Sequence, residues 1–206
     1  MDDLKKALAE IGDIRQHLAA GTLFRGFGPA VIAGSGVLAF ATAAGQSAWI
    51  AEPGRDVAVF AGTWVVTAFV ACALIGVEMI ARTRRHHGGL ADDMIMNAVE
   101  HFLPAAAAGA AIAAVILQFA PQTAWMLPGL WSMLVSVGLF ASVRFLPRTV
   151  AIGGAWYFLA GMTALIVASR TEVLSPWMMG IPFGVGQLLM AAILYSAFGG
   201  DDDNAR

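Results

Sequence analysis

Cysteine occurs once in the 206 residues, at Cys72, so one chain can build neither an internal disulfide nor a thiolate metal site. Charge is scarce as well. Asp, Glu, Lys and Arg make up 13% of the sequence and leave a net charge of −2. The basic residues are spread over several short segments, so no continuous basic surface is available to follow a nucleic-acid backbone, and nucleic acid is excluded as a partner. The four histidines, His17, His86, His87 and His101, all fall outside the middle of the apolar runs, which leaves a haem without axial ligands inside a bundle. The first twenty residues are charged throughout and lack the apolar core and small-residue cleavage site of a secretory signal; insertion is expected to rely on the first apolar run.

Apolar sequence is abundant: 59% of the residues are hydrophobic, far above soluble usage. It is concentrated in six uncharged or nearly uncharged runs, approximately 27–46, 57–81, 103–120, 124–143, 149–168 and 176–198, most of them long enough to span a hydrocarbon core. Before the first run, Leu4, Leu8, Ile11, Ile14 and Leu18 recur at helical spacing, with Lys5, Lys6, Glu10, Asp13 and Arg15 on the other arc. Before the third run, Leu90, Met94, Ala98 and Phe102 recur every four positions beside Asp92, Asp93, Asn97 and Glu100. The expected fold is therefore an all-α integral membrane protein, a bundle of about six transmembrane helices. An amphipathic cytoplasmic helix over residues 1–22 precedes the membrane domain of 23–198, a second short one precedes the third span, and 199–206 forms an acidic tail.

Orientation follows from the basic residues. With the N-terminus inside, Lys5, Lys6, Arg15, Arg25, Arg82, Arg84, Arg85, Arg144, Arg148 and Arg206 are cytoplasmic, and only Arg55 and Arg170 are outside. Lysine and arginine in short loops set topology, so both termini are expected in the cytoplasm of a cell membrane or bacterial inner membrane. Trp49, Trp125 and Trp177 then fall near the outer ends, where amphipathic rings favour the headgroup region. Phe27-Gly28-Pro29, Phe102-Leu103-Pro104 and Phe145-Leu146-Pro147 open the odd-numbered runs, a pattern that fits either a repeated two-helix unit or simply a repeated helix start. Ala30 with Gly34, the small residues of 105–111, and Gly180 with Gly184 are expected where helices approach closely. Pro128 and Pro182 are expected to kink or unwind the first turns of runs four and six.

Intramembrane polar groups are few, and they are where transport or proton relay would have to reside. Glu78, Gln118 and Gln187 are the candidates. Glu78 stands four residues before Arg82, a spacing suited to a helical ion pair, and Gln187 is placed to bond between helices. A second, cytoplasmic cluster comprises His86, His87, Asp92, Asp93, Glu100 and His101. Imidazole and carboxylate are metal-ligand types, but adjacent residues diverge and Arg84 and Arg85 disfavour a cation, so no metal and no cofactor are expected. The glycine-flanked Ser35 has no histidine in a later run to act as its base, which sets aside serine nucleophile chemistry.

Three functional classes remain. The first is a non-enzymatic partner or regulatory subunit acting through the cytoplasmic face, with a membrane or cytoplasmic protein or a second copy of the chain as its partner besides the bilayer. The second is a small-solute or ion transporter or channel with Glu78 and Gln187 near its path. The third is a membrane enzyme acting on a lipid or apolar substrate, with Glu100 and His101 as an acid/base pair. The scarcity of mid-membrane polar residues favours the first.

Overall fold

The computed structural model describes residues 28–50, 56–87, 91–143 and 147–203. The expected N-terminal amphipathic helix lies outside them. Six α-helices follow in order: α1 (Pro29–Trp49), α2 (Val57–His87), α3 (Ala91–Phe119), α4 (Leu127–Ser142), α5 (Val150–Thr171) and α6 (Trp177–Asp203), with a 3-10 segment at Pro121–Met126 leading into α4. No strand occurs among the described residues.

Five of these helical segments are long and apolar enough to cross a membrane: Pro29–Trp49, Val57–Ala81, Pro121–Ser142, Val150–Thr171 and Trp177–Ala197. Leu103–Phe119 is also apolar but shorter. The outside of the bundle carries exposed Val66, Phe69 and Val77 on α2, Phe119 on α3 and Leu159 on α5. Apolar exposure on this scale in water would drive association, so the pattern fits a multi-pass membrane protein.

Each helix packs against its neighbours in sequence, and α1 closes the circuit by packing on α6. α4 also touches α6 across the circuit. The two most extensive contacts, α1 on α6 and α4 on α5, are both made by glycine. Where α1 meets α6, a Cβ at Gly36 would come within 2.9 Å of the Gly184 carbonyl oxygen, Gly184 lies under the Phe40 ring, and Gly180 abuts Ala43. Where α4 meets α5, Gly129 and Gly161 face each other so closely that a Cβ on Gly161 would stand 2.8 Å from the Gly129 oxygen. Close backbone approach of this kind is what helices use in an apolar medium, where dispersion contact replaces the hydrophobic drive to association.

Hydrogen bonding fits an apolar environment, in which an unpaired polar group has no water to turn to. Many Ser and Thr hydroxyls donate back to their own helix: Ser35 to the Ile32 carbonyl at 2.7 Å, Ser132 to Pro128 at 2.9 Å, Ser142 to Gly138 at 2.8 Å. Others join helices. Thr42 and Thr67 share a 3.0 Å bond between α1 and α2, Trp131 donates from α4 to the Gly109 carbonyl on α3 at 3.1 Å, Ser136 donates to Gly154 on α5 at 2.8 Å, and Trp156 donates to Pro182 on α6 at 3.0 Å.

Several expectations require correction. The amphipathic segment before the third run is not a separate helix: residues 91–102 and the apolar part form one continuous α3, with Pro104 inside it. Proline removes one backbone donor, and helices in apolar surroundings tolerate that loss when packing holds them. The three Phe-x-Pro motifs consequently have three different contexts: Pro29 opens α1, Pro104 is interior, and Pro147 belongs to the turn whose carbonyl accepts from Val150 at 2.9 Å. Ala30 and Gly34 are exposed, and a Cβ on Gly34 would meet nothing within 4 Å; Gly36 makes the close approach instead. Pro128 stands in the first turn of α4 directly after the 3-10 segment Pro121–Met126, and α6 is not unwound at Pro182, which lies inside it. The last helix continues to Asp203, so most of the acidic tail is helical.

Candidate functional site

The three intramembrane candidates do not converge. Glu78 is half-buried on α2, next to Met79, which packs with Met190 and Leu194 of α6 in a cluster near the end of the bundle that carries Val150. Gln118 is exposed, one residue from the end of α3, and so belongs to the opposite end, where Trp49, Trp125 and Trp177 also lie. Gln187 is half-buried where α6 crosses α1; its Cβ is 3.2 Å from where a Cβ on Gly36 would stand.

The second candidate cluster is divided between two helix ends. His86 and His87 occupy the last turn of α2, while Asp92, Asp93, Glu100 and His101 occupy the first three turns of α3. Of their side chains only Glu100 is among those described, and it is exposed. Both helices continue beyond their apolar portions, α2 by residues 82–87 and α3 by residues 91–102, which amounts to about 9 Å and about 18 Å of helix at 1.5 Å per residue. On the α3 extension Met96 and Val99 are exposed by 58% and 43%, and Leu103, the first residue of the apolar part, by 59%. Their i, i+3, i+7 spacing places them on one face, the arrangement by which an amphipathic helix anchors in a partner's groove.

Sequence reasoning missed a third set in the bundle interior. Gln46 is 4% exposed, Trp64 3% and Tyr157 1%. The Gln46 amide reaches from α1 to α2, its Nε2 donating to the Phe60 carbonyl at 3.1 Å, which fixes the amide plane. Its Oε1, the Trp64 Nε1 and the Tyr157 hydroxyl are all buried without a hydrogen-bond partner. Phe60 and Trp64 are one helical turn apart, rings 6.5 Å apart and tilted, and they form a core cluster with Ala39, Ala43, Leu174 and Met179. Phe183 packs on that cluster and meets the Tyr157 ring edge-on at 5.5 Å, while the Tyr157 hydroxyl end lies over Gly186. Aromatic surface thus continues from α2 through α6 to α5, with an unpaired polar atom at each end. The signal in the sequence was Gln46 itself, at the last position of the first apolar run; α1 continues to Trp49.

No protein-family model, curated protein or solved structure matches the chain.

Proposed function

We propose that this is a six-span membrane protein, both termini cytoplasmic, that acts as a non-enzymatic partner or regulatory subunit through the cytoplasmic extensions of α2 and α3. The observation that carries this reading is the exposed pair Met96 and Val99 on the charged extension of α3, continued by Leu103 at the start of its apolar part. Such residues are where a helix-in-groove contact concentrates its energy. Because α2 and α3 are continuous through the membrane, a partner seated on the stripe grips a rod anchored in the bundle. The apolar interior supports the same reading: Tyr157, Phe60, Leu127 and Leu194 are fully buried large side chains, whereas an ion path is lined by charged or carbonyl groups.

The test is purification in mild detergent of the wild-type chain, Met96→Asp/Val99→Asp and a deletion of residues 1–20, each followed by quantitative mass spectrometry. A protein recovered stoichiometrically with the wild type and lost with the double substitution supports the reading; an unchanged set of companions in all three preparations opposes it. Transport of a small neutral solute is the second reading, favoured by the unpaired interior polar atoms. It requires solute flux in proteoliposomes that falls on Gln187→Leu or Glu78→Gln.

A further inference from the structure

We propose that the bundle interior between α1, α2 and α6 binds a small neutral hydroxylic molecule at Gln46 and Trp64, water being its smallest member and short alcohols the next. The argument begins with the two orphaned atoms. Gln46 Oε1 is an acceptor and Trp64 Nε1 a donor, both buried and both without a partner. Buried polar groups in folded proteins are almost always paired, and an exception calls for a molecule that pairs it.

The two groups are neighbours through the backbone. Gln46 bonds the carbonyl of Phe60, and in a regular helix that carbonyl also accepts the amide N–H of Trp64 four residues on. The amide therefore sits on the turn from which the indole projects. Its orientation is not interchangeable: turning it over would set Oε1 against the Phe60 oxygen, two acceptors face to face. The free atom facing the site is thus the oxygen.

What pairs an isolated acceptor and an isolated donor together is narrowly defined. A metal ion or an ammonium offers nothing for the indole N–H to donate to. An anion has no proton for the amide oxygen. A hydrocarbon does neither. A hydroxyl does both, donating to Gln46 Oε1 while accepting from Trp64 Nε1. The surroundings agree, since the described hydrophobic residues packed around the pair, Ala39, Ala43, Phe60, Leu174 and Met179 with the adjoining Val57, Trp131 and Phe183, form an apolar cluster. Methyl or methylene groups of a short alcohol would lie against Phe60 and Met179 as they would in any apolar core. Tyr157 lies beyond Phe183 with its own hydroxyl unpaired, and it gives a molecule that passes the Phe183 ring a second polar group to bond.

The experiment uses the full chain in lipid nanodiscs with 15N-labelled tryptophan, carrying Tyr157→Phe so that the phenol proton is not a source of signal. Trp64→Phe identifies the Trp64 indole resonance. A cross-peak from that indole proton to water, together with a saturable shift on titration with methanol, establishes a site open to alcohols; the cross-peak without a saturable shift establishes one that holds water. Gln46→Leu should weaken methanol binding about tenfold, the effect of deleting one hydrogen-bond partner, and Gln46→Met repeats the test at similar volume should the leucine variant fold poorly. The indole of Trp156, already bonded to the Pro182 carbonyl, should not respond. A Trp64 indole with neither a water cross-peak nor a methanol shift overturns the proposal. So does a methanol shift undiminished in both Gln46 variants.

Discussion

Gly161→Ala puts one methyl group into the tightest crossing of α4 and α5. The added Cβ would stand 2.8 Å from the Gly129 carbonyl oxygen, 2.8 Å from Met133 Cγ and 3.1 Å from the Met133 backbone nitrogen. Two of these three neighbours are backbone atoms, so no rotamer change relieves the contact and the helices must separate. Overpacking of this kind costs about 1–3 kcal/mol. Separation would also lengthen the Ser136 bond to the Gly154 carbonyl, which is 2.8 Å and joins the same two helices. Gly34→Ala is the matched control: it makes the same chemical change in α1, but its Cβ meets nothing within 4 Å. Removing a helix-interior glycine there should gain roughly 0.5–1 kcal/mol. For a chain of this length each kcal/mol moves the midpoint by about 2–4 °C. Thermal unfolding in one detergent, followed by circular dichroism, should therefore place Gly161→Ala about 2–12 °C below the wild type and Gly34→Ala at or slightly above it. Equal midpoints for the two variants would refute the assignment of α4 against α5 through glycine.

Three further outcomes follow from other parts of the fold. Glu172 ends α5 in a left-handed conformation with φ of 49°, which disfavours side chains but suits glycine, so Glu172→Gly should raise the unfolding midpoint by a few degrees, about 1 kcal/mol. Trp156→Phe removes the indole donor to the Pro182 carbonyl while keeping most of the ring, and should lower stability by about 0.5–1.5 kcal/mol in a denaturation series. With Cys72 replaced by alanine, a single cysteine at position 172 should react with an impermeant maleimide on intact cells, and one at position 100 only after permeabilisation; the reverse pattern would invert the proposed topology.

The long apolar runs were legible because a span must be uncharged along its whole length, and that requirement is written residue by residue. Which side of each helix faces protein was not, because lipid and protein interior are equally apolar and no polar face marks the difference. Ala30 with Gly34 and Gly180 with Gly184 are alike as small-residue patterns, yet only the second pair lies where α1 and α6 meet. The same blindness hid Trp64 and Tyr157, which read as ordinary aromatics until their N–H and O–H are seen to be buried without partners. Helix ends were misjudged where polarity and helicity part company: the charges of 91–102 suggested a surface helix, but nothing in that segment stops α3 from continuing through Pro104. Glu78, Gln118 and Gln187 were found as polar residues in apolar runs, and their separation in space depends on the packing of α2, α3 and α6, which no single run encodes.

The most direct test of the proposed role is site-specific photo-crosslinking in living cells, with a benzophenone amino acid at Met96 and, as a control, at Val173 beyond the other end of the bundle. The account predicts that Met96 captures one discrete protein other than the chain itself, that Val173 does not, and that Val99→Asp abolishes the adduct. Adducts at Met96 consisting only of lipid, or only of a second copy of the chain unaffected by Val99→Asp, would contradict it.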